Sequence, residues 1–312
     1  MNALRKPPAA DGPLPIAGVE LGGTKCVCIL AHGPGQVIAQ VSLPTTDAAT
    51  TLALIEEVLL GWWQSFGFRA LGIASMGPLR LDPAAADYGH ILATTKPGWP
   101  GADIAGRLGR HFPVPVAFDT DVNGAAIAEC TWGAGQGLQD FAYITVGTGV
   151  GVGLVVNGRT TRGIGHCEMG HLRVPRLPGD TGPSGCRFHD DCVEGLASGS
   201  AVKSRLGQQH VSEIAPDHPV WDVVVEAVTA LCHALVCTTG PQRIVLGGGV
   251  MQKQPHLVGR IGPALRASIA GYVEIPHDAD YVVVPGLGDM AGPLGPIAMA
   301  MALERDRAAA DA

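Results

Sequence analysis

From Ile16 the chain alternates short apolar runs with glycine turns: IAGVEL, then GGT, CVCIL, then GPG, and QVIAQVSL, which predicts three strands in a meander. Leu52, Ile55, Val58, Leu59, Trp62, Trp63 and Phe66 follow at spacings of three and one, on a single stripe of an amphipathic helix. ALGIASM reads as the next strand. After a loop rich in Gly and Pro (77–101), ADIAGRLGRHF reads as a helix, VPVAFDT as a buried strand and VNGAAIAECTW as a helix. This order implies a mixed sheet with helices on its faces. Residues 1–14, Pro/Ala-rich and without periodicity, are expected to form a disordered leader.

The pattern then restarts. FAYITV, GTGVG and VGLVVNG repeat the layout of IAGVEL, GGT and KCVCIL: a strand, a Gly/Thr turn and a second strand. Later segments predict a long helix at about 221–238, the strand RIVL running into Gly247, Gly248 and Gly249, a helix near 257–272, the strand YVVVP and a terminal helix from about residue 291. The expected fold is α/β, with two similar halves whose glycine turns face one another across a cleft. The boundaries expected are 15–120, completed by the C-terminal helix at about 291–312, and 121–290 for the second half.

Composition agrees with this picture and narrows the function. A chain of 312 residues, 46% apolar and 16% charged, has room for roughly two domains with buried cores. The 44 glycines and 24 prolines make up about 22%, just under the ~25% that marks low complexity, so the glycines serve local geometry. A formal charge of −7 gives no electrostatic reason to bind nucleic acid. The opening residues lack the apolar stretch of a secretory signal, so the eight cysteines are expected reduced, in a cytoplasmic protein. The most apolar segment, 221–240, carries Asp222, Glu226 and His233 and falls short of a clean membrane span.

Chemistry concentrates at the turns. Gly22 and Gly23 let backbone N–H groups approach an anion, Thr24 adds a hydroxyl and Lys25 a charge. By itself that motif is equally an ordinary hairpin. Gly147, Thr148 and Gly149 repeat it with more glycine than a hairpin needs, and Gly247, Gly248 and Gly249 end a strand where ligands of α/β folds bind. Three such turns point to a nucleotide cleft. No P-loop occurs, and no G-x-G-x-x-G opens a helix, which argues against a nicotinamide enzyme.

Asp119, Asp121 and Asn123 fall where a buried strand meets a helix, as caps or as a catalytic cluster. Cys186, His189 and Cys192 lie at C-x2-H-x2-C spacing in a Gly/Pro-containing segment suited to wrap an ion. Zinc needs a fourth ligand, which GHCEMGH offers as His166, Cys167 or His171. Cys26 and Cys28 share a strand face and, with Cys130 and Cys232, read as small core residues.

Through GVELGGTK, GIASMGP, TTKPGW, FDTDVNGAA, TVGTGVGVG, GHCEMGH, CVEGLASG and VLGGGVM, in that order, the chain resembles the ROK family of the actin and sugar kinase superfamily, and within it the zinc-containing bacterial fructokinases. The resemblance implies two ribonuclease-H-like domains with an interdomain cleft closing on ATP, and phosphoryl transfer to the 6-hydroxyl of D-fructose. It makes Asp121 the general base and Glu20, standing where much of the superfamily has Asp, a ligand of Mg²⁺ through water. It places Asn123, Glu168 and Glu194 at the sugar, with Ser75, Gly77, Lys96 and Trp99 as further sugar or lid positions. It selects His171 as the fourth ligand of a structural Zn²⁺, and implies a homodimer. The alternatives are a ROK kinase for glucose, mannose or an N-acetylhexosamine, and a ROK transcriptional regulator, for which the short leader leaves no DNA-reading domain.

Overall fold

In the computed structural model, which describes residues 12–207 and 209–311, the chain divides into two compact units. Most of the expected leader, residues 1–11, lies outside the described residues. The first unit comprises the chain up to Trp132, residues 162–166 and the chain from Asp289 onward; the second comprises 133–161 and 167–288.

The first unit opens with β1 (Ile16–Leu21), β2 (Lys25–Ala31) and β3 (Val37–Pro44), the expected antiparallel meander. Helix α1 (Ala48–Ser65) is capped by Asp47, whose carboxylate accepts the Thr50 N–H at 2.9 Å. It buries Leu52, Ile55, Leu59, Trp62 and Trp63 against the sheet. Phe66, read as part of that stripe, falls beyond the last helical residue and is exposed. Then come β4 (Ala70–Ser75), α2 (Ala105–Gly109), β5 (Val116–Thr120) and α3 (Asp121–Trp132). Helix α2 is less than half the length expected, because two glycines weaken it and the Asp103 carboxylate caps Gly106 at 2.8 Å.

The second unit repeats the plan. Strands β6 (Phe141–Val146), β7 (Val150–Val156) and β8 (Arg159–Thr160) form its meander, followed by α4 (Val193–Ala197), α5 (Gly199–Arg205) and α6 (Val220–Thr238). Next are β9 (Arg243–Gly247), α7 (Gly249–Lys253), α8 (His256–Ile269), α9 (Asp278–Tyr281) and β10 (Val282–Val283). The expected strand YVVVP thus shrinks to the two residues that pair with Ile244 and Val245. Helix α6, the one helix among the described residues long and apolar enough to cross a membrane, has two-thirds of that apolar stretch buried inside its unit.

The sheet orders are β3-β2-β1-β4-β5 and β8-β7-β6-β9-β10. In each, two antiparallel pairs lead to two parallel ones, so the restart seen in the sequence is a true duplication of topology.

The chain returns to the first unit as α10 (Ala291–Ala310), which packs on β1, β4 and α3. That packing keeps α3 with the first unit, whereas a boundary at residue 121 would have opened the second half with it. Glycines permit the close approach. A Cβ on Gly72 would lie 1.8 Å from the Pro296 carbonyl oxygen, and one on Gly295 would lie 2.7 Å from the Gly124 backbone. Gly72→Ala is therefore expected to destabilise the protein by about 1–3 kcal/mol or more, because backbone must move to admit the methyl. Thermal unfolding checks this; an unchanged melting temperature would contradict the packing described.

Candidate active site

Each unit carries one glycine turn between its first two strands. In the first unit Leu21 pairs with Cys26, and Gly22 donates its N–H to the Lys25 carbonyl at 3.1 Å. The Thr24 carbonyl accepts from the Thr45 N–H at 3.0 Å, and the Gly23 carbonyl from Lys96 Nζ at 2.7 Å. Among the described residues no group accepts the N–H of Gly23 or Thr24. In the second unit Val146 pairs with Val150, Gly147 donates to the Gly149 carbonyl at 2.9 Å, and the N–H groups of Thr148 and Gly149 are likewise unaccepted. Both turns thus bond their carbonyls to the protein and leave two adjacent exposed or half-exposed donors, the arrangement of an anion-binding nest. The third glycine cluster ends β9, where Gly248 at φ 88° leads into α7.

The second turn is stitched to the segment after the Cys/His cluster. Gly199 donates to the Gly147 carbonyl at 2.7 Å, and Ser200 Oγ to the Thr148 carbonyl at 2.8 Å. Glu194, in α4, accepts the Val150 N–H on Oε2 at 3.1 Å. A Cβ on Gly149 would meet that same oxygen at 2.5 Å, so a side chain there would displace the carboxylate from its place.

His171, Cys186, His189 and Cys192 come together with their ligand atoms all within 4.8 Å of one another. Cys186 Sγ lies 3.6 Å from His171 Nδ1 and 3.9 Å from His189 Nδ1, and Cys192 Sγ lies 3.9 Å from His171 Nδ1. A tetrahedral zinc site with Zn–S near 2.3 Å and Zn–N near 2.0–2.1 Å has S···N edges of about 3.6 Å, so the donor set and its spacing suit that ion. The other two candidates for fourth ligand are engaged elsewhere: His166 Nε2 accepts the Leu79 N–H at 2.9 Å, and Cys167 Sγ lies 3.0 Å from Thr161 Oγ1. Ser184 buckles the loop by donating to the His189 carbonyl at 2.8 Å and accepting the Cys186 N–H at 3.1 Å. Burial pushes the Cys192 thiol up to about 12, so a thiolate there calls for a cation. Cys192 also caps α4, its Sγ accepting the Gly195 N–H at 3.3 Å. The cluster, Glu194 and the second glycine turn are thereby one connected structure.

In the first unit the acidic cluster divides by role. Asp119 is buried; its Oδ1 accepts Asn123 Nδ2 at 2.8 Å and its Oδ2 accepts Arg162 Nη2 at 3.0 Å. The cap of α3 is Thr120, whose hydroxyl accepts the Asn123 N–H at 3.1 Å. Asp121, the first residue of α3, is only half-buried, and its Oδ1 accepts the Val122 N–H at 2.9 Å.

Glu20, at the end of β1, is pushed from its ordinary range to about 7, chiefly by burial and further by the charge of Asp121, against an opposing pull from Lys25. The native carboxyl keeps its proton after the unfolded one has lost it. Stability of the metal-free protein should therefore fall by on the order of 3 kcal/mol as pH rises from about 4.5 to about 7, and stay level above. Glu20→Gln removes this dependence. Its melting temperature should exceed that of the parent at pH 8, with the gap closing near pH 4; a gap independent of pH would count against the shift.

Three of the residues expected at the sugar make hydrogen bonds within the protein. Ser75 and Trp99 are completely buried: Ser75 Oγ donates to the Met76 carbonyl at 3.0 Å, and Trp99 Nε1 to the Thr46 carbonyl at 2.7 Å. Asn123 is buried and spends its amide on Asp119. Ser75 and Trp99 thus brace backbone, and Asn123 braces the Asp119 carboxylate. Gly77 follows β4, half-exposed, and Glu168 is exposed at the start of the short 3-10 turn that ends at His171. Sequence reasoning passed over Arg162 and Ser200. No local pattern marks Arg162, because its partner is 43 residues away; the Ser198-Gly-Ser run that opens α5 was a readable capping signal.

Two mixed five-stranded sheets of identical topology, each with a glycine turn after its first strand, define the duplicated ribonuclease-H-like fold of the actin and hexokinase class. The ROK family model matches residues 16–303, and the chain belongs to the ROK family. It is 38% identical over 287 residues to a fructokinase of Pediococcus pentosaceus, covering 92% of this chain and 98% of that protein. It is 38% identical over 293 residues to a fructokinase of Zymomonas mobilis, covering 92% and 96%. Among solved structures, the ROK hexokinase from Thermus thermophilus matches with a TM-score of 0.73 at 29% identity, over 94% of this chain and 100% of that one. A ROK family glucokinase from Streptomyces griseus, solved with glucose and AMPPNP, matches with a TM-score of 0.72 at 24% identity, over 92% and 98%.

Proposed function

We propose that the protein is an ATP-dependent fructokinase that transfers the γ-phosphoryl group to the 6-hydroxyl of D-fructose. The observation that carries this reading is the repeated glycine turn with two unaccepted N–H groups, in a ROK chain 38% identical to fructokinases over almost their whole length.

In this reading Gly22–Lys25 and Gly147–Gly149 hold phosphate oxygens through backbone N–H groups, with Thr24 and Thr148 adding hydroxyls and Gly247–Gly249 offering bare backbone to the nucleotide. Asp121 accepts the proton of the sugar hydroxyl as its oxygen bonds phosphorus and the β–γ bridge breaks, so the proton ends on the carboxylate and the electron pair on ADP. Glu168 and Glu194 accept hydrogen bonds from sugar hydroxyls. Glu20 would hold Mg²⁺, which when bound offsets charge on the phosphates. His171, Cys186, His189 and Cys192 would hold Zn²⁺, in a structural role.

The test is ATP-dependent phosphorylation across fructose, glucose, mannose and N-acetylglucosamine. The largest kcat/KM is expected for fructose. Another hexose working while fructose fails would overturn the specificity, and no turnover with any hexose would overturn the activity.

A further inference from the structure

Lys96, expected at the sugar, is set by the structure against the first glycine turn. Its Nζ donates to the Gly23 carbonyl at 2.7 Å and to the Thr45 carbonyl at 3.4 Å. The loop that carries it is fastened nearby: Trp99 donates its N–H to the Lys96 carbonyl at 3.3 Å and its indole Nε1 to the Thr46 carbonyl at 2.7 Å. Thr45 in turn donates to the Thr24 carbonyl at 3.0 Å, so two successive carbonyls of the turn are held by one wall made of Thr45 and Lys96. A trans peptide unit carries its C=O and N–H on opposite edges. Capturing the Gly23 carbonyl with an ammonium therefore turns the Thr24 N–H outward, and that N–H is one of the two left unaccepted.

We propose that Lys96 is a positioning residue for nucleotide: it clamps the Gly23–Thr24 peptide so that the N–H groups of the turn face phosphate oxygens, and has no direct part in sugar recognition. The proposal rests on the reading of Gly22–Lys25 as a phosphate turn. A lysine suits the task because its compact cation makes a charge-assisted bond to a carbonyl and adds positive potential where phosphate charge gathers. The clamp spans 73 residues of sequence, so no local pattern reveals it.

The experiment uses the full-length protein and two measurements: Mg·ADP affinity by calorimetry without sugar, and steady-state kinetics with ATP and sugar each varied. Lys96→Met should weaken Mg·ADP binding and raise the KM for ATP by about tenfold, the loss expected from one charge-assisted bond, with the sugar KM within about twofold of the parent. Lys96→Arg, which keeps charge and donors, should recover nucleotide affinity to within about threefold, which keeps the question decidable if the methionine variant folds poorly. A raised sugar KM with unchanged nucleotide constants, or no change at all, overturns the proposal. Gly22→Ala separates this from a failure of the underlying reading, because its added Cβ would lie 2.9 Å from the Lys25 carbonyl oxygen and distort the turn directly. If Gly22→Ala weakens Mg·ADP binding and Lys96→Met does not, the clamp alone is wrong; if neither does, the phosphate turn is wrong and the clamp falls with it.

Discussion

Asp121→Asn is expected to lower kcat by at least ~100-fold with the sugar KM changed only a few-fold. The substitution keeps size and shape, and its side-chain oxygen can still accept the Val122 N–H that Asp121 accepts at 2.9 Å. What it removes is the proton acceptor. The surroundings argue that the variant will fold: Thr120 supplies the cap of α3, while Asp119 and Asn123 hold each other in the buried layer beneath. Asp121 carries none of that structure, which is why the loss should appear in turnover. Steady-state kinetics beside a melting curve decide the matter. Near-normal turnover in a folded variant would remove Asp121 from the mechanism, and a large rise in sugar KM with kcat intact would make it a binding residue.

The second large effect concerns the metal cluster. One zinc per chain is expected by metal analysis, and Cys192→Ala should abolish it together with most sugar binding and a substantial part of the thermal stability. Two losses coincide at that residue, because its sulfur is both a member of the Cys/His cluster that would hold the ion and the cap of α4, the helix that presents Glu194. Structural zinc contributes about 10–16 kcal/mol of apparent binding free energy in small zinc peptides, and here it would tie the loop of Cys186 and His189 to His171 and Cys192. Prolonged chelation should reproduce the variant. Full activity in a preparation free of zinc would overturn this account, as would a Cys192→Ala protein that still binds sugar normally.

The glycine turns show how far local pattern reaches. Gly22–Lys25 and Gly147–Gly149 were legible because a strand, a glycine turn and a second strand form within one short stretch of chain, Ile16–Ala31 and Phe141–Val156, and the duplication showed because both halves fold by the same local rules. The C-x2-H-x2-C run was legible for the same reason, its three side chains being close in sequence. The fourth member of the cluster was open on spacing alone. His166, Cys167 and His171 are equivalent as text, and only folding sends His166 to Leu79 and Cys167 to Thr161 while His171 turns to the sulfurs.

Local pattern is least decisive where one residue type serves two purposes. Trp99, in the Gly/Pro-rich loop, and Ser75, at the end of β4, are both completely buried; an aromatic or a hydroxyl beside such a loop is as able to anchor backbone as to touch substrate. Asn123 went the same way, its amide claimed by a carboxylate one helical turn back.

By itself the sequence determined the duplicated α/β plan, the two glycine turns and the local Cys/His run, because strand alternation, glycine turns and side-chain spacing are short-range properties. Tertiary structure decided which polar groups stay available for chemistry. Lys96 reaches Gly23 and Arg162 reaches Asp119 across 73 and 43 residues, and α10 returns from the far end of the chain to pack on β1 and β4. Whether a side chain faces a ligand or is consumed by the protein depends on such distant partners, and burial drives most polar groups to find one.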